Sequence, residues 1–326
     1  MNEWQEFMES QSPALRDSNF ICDASKLGLI LVTGEDAQSF LQNQLSNDIT
    51  ETDENHFQLS SYSTPKGRML GIFRVVKIDN GYLLITPKPT VTALLQRLQL
   101  FVVQAKVNLA DASDYFARMG IQSDIINNEI LPRNQGEVVQ SDSLIALHLG
   151  ELAGQNRYLL LCLSADEAKS IWQDMGENLS VADFDSWRLS EIKAGIPVIY
   201  AQTAEEFVAQ MSNLNQLGGI NFKKGCYPGQ EIVARMQYLG KLKRRMFLAQ
   251  LDTEICPQPG DDLVATNAEI VDGSGKIVDA VIDDQGNCFC LFIAQIKKAL
   301  DNSLKLLDQP EVMINLIDLP YAVEGD

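Results

Sequence analysis

Apolar runs broken by short polar turns divide the chain into elements. KLGLILVT, over Lys26–Thr33, is a continuous apolar run of strand length and predicts a buried strand. Gly34-Glu35-Asp36 turns out of it into a helix on which Phe40, Leu41 and Leu45 recur at helical spacing. Further strands are predicted over Phe57–Thr64, Met69–Ile78 and Tyr82–Thr86. Between them Pro65-Lys66-Gly67-Arg68 reads as a turn and Asp79-Asn80-Gly81 as a hairpin turn. Pro89–Phe101 predicts an amphipathic helix with Leu94, Leu95, Leu98 and Phe101 inward, and Gln104–Leu109 a returning strand. The first twenty residues are polar and predict loose order.

This order of strands, helix and strand indicates an α+β unit with an antiparallel sheet over residues 1–110. A second α+β unit is expected over 111–242, part of it packing back on the first. Its strands are predicted at Leu144–Leu149 and Tyr158–Leu163, and its first helix at Ala165–Met175 with Ala168, Ile171 and Trp172 inward. A further helix, Asp183–Lys193, places Trp187 and Ile192 on its buried side and ends at Ala194-Gly195 before Pro197. From residue 243 the pattern changes. Short strands are predicted at Arg245–Leu251, Asp262–Thr266, Ile277–Ile282, Cys288–Ile293 and Glu311–Ile317, separated by turn-forming PQPG, DGSG and DDQG. Short strands with such punctuation predict a small β-barrel over 243–326.

At 326 residues the chain is long enough for two or three domains with sizeable cores. Its start is acidic and polar rather than a secretory leader, and no apolar run approaches the length that spans a bilayer. The expectation is a soluble, cytoplasmic protein with no membrane partner. The net charge of -18 argues against broad, non-specific nucleic-acid binding. The cysteines, at 22, 162, 226, 256, 288 and 290, show no CxxC pair and no zinc-type spacing, so no metal is predicted. Cys288 and Cys290 share one face of a strand and read as core, and a disulfide framework is not expected in such a chain.

Charge then singles out one stretch, Asn221–Arg245. It holds seven Lys/Arg and one Glu, a local +6 in a chain whose other residues carry -24. A cationic strip on an acidic protein suggests a site for an anion, against the plainer reading of a solvated loop and helix. Lys223 and Lys224 precede Gly225-Cys226-Tyr227-Pro228-Gly229, and Gln230 and Glu231 open a helix that carries Arg235. A thiol before a helix and beside lysines is a candidate reactive or ligand thiol; the alternative is a small, inert buried residue. Only His56 and His148 could serve it as a base, and neither has a context that assigns it. The 241–245 run, flanked by Tyr238 and Phe247, also fits a direct RNA contact. Gln38, Gln42, Asn43 and Gln44 crowd one helix with amides, either an exposed polar face or a set of hydrogen-bonding groups for a heterocycle.

The segment GGINFKKGCYPGQEIVAR resembles the signature of the YgfZ family, with its core at Lys224, Gly225, Cys226, Tyr227, Gly229, Gln230 and Glu231. The likeness extends through SFLQNQLSNDIT, AGIPVIY and LPYAVE. That family belongs to the superfamily of the glycine-cleavage T-protein, an aminomethyltransferase. The resemblance implies two α+β units and a C-terminal β-barrel around a central opening that takes tetrahydrofolate or a one-carbon derivative. It implies a folate-contacting tryptophan at Trp187. The family's other tryptophan position holds Leu27 here, which removes one aromatic wall. Lys223, Lys224 or Arg235 would meet the anionic glutamate tail. Where T-proteins carry a catalytic aspartate this chain has Leu70 or Gly71, so the resemblance implies an accessory protein rather than an enzyme; Asp48 is the acid that could substitute. The implied role is support of iron–sulfur enzyme assembly or maintenance, and through such clients tRNA methylthiolation, with Cys226 as functional thiol. The alternatives are a one-carbon transfer enzyme and an RNA-binding protein.

Overall fold

Three sheets carry the strands of this chain, whose structure is a computed structural model describing residues 2–12, 18–124 and 129–323. The protein is α+β, with sheets that are antiparallel except for one pair of strands. Two compact units result, neither contiguous in sequence. One comprises Met1–Leu41, Ile49–Gln58 and Phe73–Trp187; the other comprises Gln42–Asp48, Leu59–Ile72 and Arg188–Asp326.

In the first unit a six-stranded sheet runs in the order Ser180–Ala182, Phe20–Asp23, Ala117–Ser123, Gln155–Cys162, Leu144–Leu152, Val138–Gln140. The helix Ala165–Gly176 starts at Ser164, whose side chain accepts the Glu167 N–H, and it buries Ala168, Ile171, Trp172 and Met175. A five-stranded sheet, to which the first unit contributes residues 73–78, Gly81–Pro87, Leu27–Thr33 and Asn108–Asp111, follows the order Gln58–Ser63, Met69–Ile78, Gly81–Pro87, Leu27–Thr33, Asn108–Asp111. Leu27–Thr33, an inner strand, pairs along its full length with the central strand Gly81–Pro87.

In the second unit a six-stranded antiparallel sheet curls as a half-barrel. Its order is Leu304–Leu306, Asp262–Ala265, Gly275–Ile282, Cys288–Gln295, Arg244–Leu251, Ile314–Ile317. Along Arg244–Leu251 the side chains alternate between two cores. Met246 and Leu248 join the cluster that includes Ile192, Phe207, Leu214 and Val233, while Phe247, Ala249 and Leu251 join Phe292, Cys290 and Leu306. A bulge between Ile277 and Asp279 turns the Asp279 carboxylate inward. There Arg188 binds it through two guanidinium nitrogens and the Tyr200 hydroxyl donates to it at 3.1 Å. Burial pushes this carboxyl up, with the Arg188 guanidinium opposing the shift.

Several expectations need correction. The polar start is not loose over its whole length: Asn2–Glu9 is a helix whose Trp4 is buried against Trp172, ring centroids 5.7 Å apart. Residues 13–17 of that stretch lie outside the described residues. Phe101 falls beyond the helix Val91–Gln99 and is exposed. The returning strand is Asn108–Asp111 rather than Gln104–Leu109, and the last strand begins at Ile314. Cys288 and Cys290 are both core, as expected, but Cys288 is also bonded to Cys256, Cα atoms 5.7 Å apart and 32 residues away in sequence, a disulfide the sequence did not lead one to expect.

Candidate functional site

The signature segment is built on the ammonium of Lys224. The Asn221 side-chain oxygen accepts the backbone N–H groups of Lys223 and Lys224 at 2.8 and 3.1 Å, which folds the segment back at its start. The Lys224 side chain then runs inward, 7% exposed, and its Nζ donates to the carbonyls of Gln42, Leu45 and Asn47 at 2.7–2.8 Å. Three donors meet three acceptors, so the buried charge is fully hydrogen-bonded. Burial pulls its pKa down to about 8, against the Asp48 carboxylate, which acts in the other direction.

The carbonyls are held in place by a second, buried polar network. Ser46 Oγ donates to the Gly219 carbonyl at 2.7 Å and accepts the Ser61 N–H at 2.8 Å. Asn47 Nδ2 donates to the carbonyls of Gly218 and Leu59 at 2.8 and 2.9 Å. The short stretch Gln42–Asp48 therefore has almost no freedom, and it presents its carbonyls as a ready receptor for one cation. Gln44 Oε1 in the same stretch is buried and has no partner.

Above this anchor the chain turns outward. Gly225 has nothing within 4 Å of where a Cβ would stand, and Cys226 is an exposed free thiol. Tyr227 turns back inward, its ring 5.2 Å from the Lys224 ammonium, and burial pushes its hydroxyl up to about 12. Gln230 Nε2 donates to the Lys224 carbonyl at 3.3 Å. Gly229, at φ 84°, caps the helix Gln230–Leu239; a Cβ there would lie 2.6 Å from Gly67 Cα and 2.9 Å from the Thr64 carbonyl oxygen. The glycine lets the helix start against the Thr64–Arg68 turn. An exposed thiol on a loop pinned from beneath is suited to meeting a partner or ligand from solvent.

The remaining site residues fall into two groups. Lys223, Glu231 and Arg235 are exposed beside this segment, in the second unit. Trp187 and Leu27 share one apolar cluster in the first unit. Trp187 is 1% exposed. Gly120 lies against its ring, with a Cβ-to-Cε3 distance of only 2.4 Å were a side chain present, and the Arg157 guanidinium sits 6.0 Å from its centroid. The indole is a packed wall, not an open plane. Leu70 and Gly71 lie on the strand Met69–Ile78, while Asp48 accepts from Gln42 Nε2 at 3.0 Å and neighbours Lys224. The histidines have other partners: His56 is bonded to Asp53, and His148 is buried beside Asn156. Within the basic run, Arg244 donates to the Gly273 carbonyl, and Arg245 is buried over Phe247, leaving Lys241 and Lys243 exposed. Among the described residues no group of three His, Cys, Asp or Glu could hold a metal ion.

The sequence did not reveal Asn221 or the carbonyl receptor. Asn221 carried a legible signal, an Asn two residues before a polar turn. The receptor is made of backbone groups and leaves none.

Comparison with known proteins places these features. The GCVT N-terminal domain family matches residues 1–123. The tRNA-modifying protein YgfZ of Colwellia psychrerythraea is 31% identical, covering 96% of this chain and 97% of that protein. The protein of the same name from Photobacterium profundum is 29% identical over 91% of this chain and 90% of its own. Among solved structures, the glycine cleavage system aminomethyltransferase T from Bartonella henselae shares the fold, with a TM-score of 0.71 at 12% identity over 98% of this chain and 89% of that one.

Proposed function

The chain belongs to the YgfZ family, and from that membership we propose that it is a folate-binding accessory protein in tRNA modification that does not itself catalyse one-carbon transfer. The tRNA half rests on the relatives, which are named tRNA-modifying proteins over nearly the whole chain length. The accessory half rests on the strand Met69–Ile78, where Leu70 and Gly71 offer no charge to position an amine. The observation that carries the reading is the signature segment itself: an exposed thiol, Cys226, on a loop fixed by a buried, fully bonded Lys224. In this reading Cys226 serves iron–sulfur clients whose products include methylthiolated tRNA.

The residues fit a folate in part. Lys223 and Arg235 are exposed cations without an ion pair and suit the anionic glutamate tail. Gln44 Oε1, a buried acceptor with no partner, suits the donor-rich edge of a pterin. Lys224 has no donor to spare, and Trp187, buried within the first unit, offers no open face for a ring to stack on.

The test is calorimetric titration with tetrahydrofolate in mono- and polyglutamyl forms, beside a turnover assay with a one-carbon folate and an amine. Saturable binding without turnover is expected, with the Lys223→Ala/Arg235→Ala variant losing affinity for the polyglutamate and little for the monoglutamate. Absence of saturable heat would remove the folate half. Turnover abolished by Asp48→Asn would replace the accessory half with an enzyme that takes its acid from Asp48.

A further inference from the structure

The side chains around the helix Gln230–Leu239 point to a second use of this surface. In sequence the cations of this region form a strip. In the fold they surround the helix, and the set changes. The Thr64–Arg68 turn abuts the start of the helix, where Gly67 and Ile232 are in contact, and this adds Lys66. Phe222 packs edge-on against Tyr238, centroids 6.5 Å apart, which brings the Phe222–Lys223 end of the segment beside the end of the helix. Lys241 and Lys243 follow directly, and Arg235 lies on the helix three residues before Tyr238.

Two features set this surface apart. The chain has 44 acidic residues against 26 Lys and Arg, yet Lys66, Lys241 and Lys243 are exposed and none makes an ion pair among the described residues. On so acidic a chain, neighbouring lysines left unpaired retain their charge for an outside anion. Tyr238, which Lys241 and Lys243 follow directly, is 67% exposed, its ring presented on the outer side of the helix and supported by Phe222, while Lys66 stands by the start of the same helix. Unpaired cations around an exposed aromatic ring are the elements of a single-stranded nucleic-acid site: the cations meet phosphates and the ring takes a base. An acidic protein would use the cations but has no need of the ring.

We propose that this face, with Lys241 and Lys243 next to Tyr238 and Lys66 by the start of the same helix, binds a single-stranded segment of RNA directly. From the reading above the proposal takes only that the RNA is a tRNA, so the loop that carries Cys226 would meet its client's substrate as well as its client. Arg244 and Arg245, the most basic-looking part of the strip, take no part, since one holds Gly273 and the other is buried.

The test is fluorescence anisotropy of the full chain with a labelled anticodon stem-loop RNA, against a blunt RNA duplex of equal length and poly-L-glutamate as competitor. Binding to the stem-loop should weaken roughly 20- to 50-fold between 50 and 200 mM salt, as three or four phosphate contacts on a single strand require. Lys66→Glu/Lys241→Glu/Lys243→Glu should weaken it at least about ten-fold, and Tyr238→Ala about ten-fold. All four positions are exposed, so the variants should stay folded, the triple Glu variant melting somewhat lower because it takes the net charge from -18 to -24, and affinity for monoglutamyl tetrahydrofolate should not change. A failure of folate binding therefore leaves this test intact, and the reverse also holds. The proposal is overturned if the stem-loop shows no saturable binding at 50 mM salt, if the duplex binds equally well, or if poly-L-glutamate displaces the RNA from wild type and Tyr238→Ala alike. The last result would assign the face to an acidic protein.

Discussion

At the scale of single residues, Lys224 and Cys226 divide the work of the signature. One is inside and the other outside, two residues apart, because the chain turns at Gly225 between them. A buried ammonium donating three short bonds is expensive to remove, because its loss leaves three carbonyls without a donor. Lys224→Met should therefore cost about 3 kcal/mol in urea denaturation. It should also speed amide exchange across Gln42–Asp48. Lys224→Arg should not rescue it, since a planar fork cannot serve three convergent carbonyls. A loss below about 0.5 kcal/mol with unchanged exchange would mean that the receptor holds itself together without the cation. The lysine was visible in sequence as a charge, and its natural reading was a contact to an anion. Burial reversed that reading: this charge is spent on the backbone, whereas its neighbour Lys223 stays in solvent. Trp187 changed in the same way. By pattern a helical tryptophan reads first as core, and only the family resemblance makes it a contact for folate; Gly120, distant in sequence, lies against its ring and leaves it 1% exposed.

At the scale of elements, the start of the helix Gln230–Leu239 is where sequence and fold agree most closely. The turn and the helix were legible from Gly225-Cys226-Tyr227-Pro228-Gly229, while the thiol read either as reactive or as small and buried. What the sequence left open was which glycine matters. Gly229 has φ 84° and backbone on top of it, while Gly225 faces open space. Gly229→Ala should lower stability by roughly 2 kcal/mol or more, and Gly225→Ala should stay within about 0.5 kcal/mol of wild type, both read from the urea midpoint. Equal effects would show that the helix does not depend on its close approach to the Thr64–Arg68 turn. Most other elements were also legible, Met69–Ile78 to the residue. Those missed share a cause. Phe20–Asp23 is only four residues long, and Ala117–Ser123 is buried at every position yet includes Arg118, Gln122 and Ser123. A strand buried on both faces that includes polar side chains has no alternation to detect: Arg118 donates to the carbonyls of Ser113, Phe116 and Ser25 through its terminal nitrogens, its Nε left without a partner among the described residues. The N-terminal helix was missed because Trp4 is its only fully buried anchor among the described side chains.

At the scale of the molecule, the charge of -18 acts on both stability and partner choice. Several of the described ion pairs are exposed on both sides, such as Lys106 with Glu35 and Lys88 with Asp114, and pairs of that kind contribute little. The larger electrostatic quantity is then the mutual repulsion of the excess carboxylates, which salt screens beyond a Debye length of about 10 Å at 0.1 M. Raising NaCl from 20 to 200 mM should therefore raise the melting temperature, while the same change weakens RNA binding at the Tyr238 face. The opposite signs make the pair of measurements decisive. If salt lowered the melting temperature, the ion pairs would outweigh the repulsion, and unpaired lysines on this chain would no longer mark a retained charge. If salt raised the melting temperature and left RNA binding unchanged, the contact would not be electrostatic, and the lysines around Tyr238 would be part of the solvated surface after all.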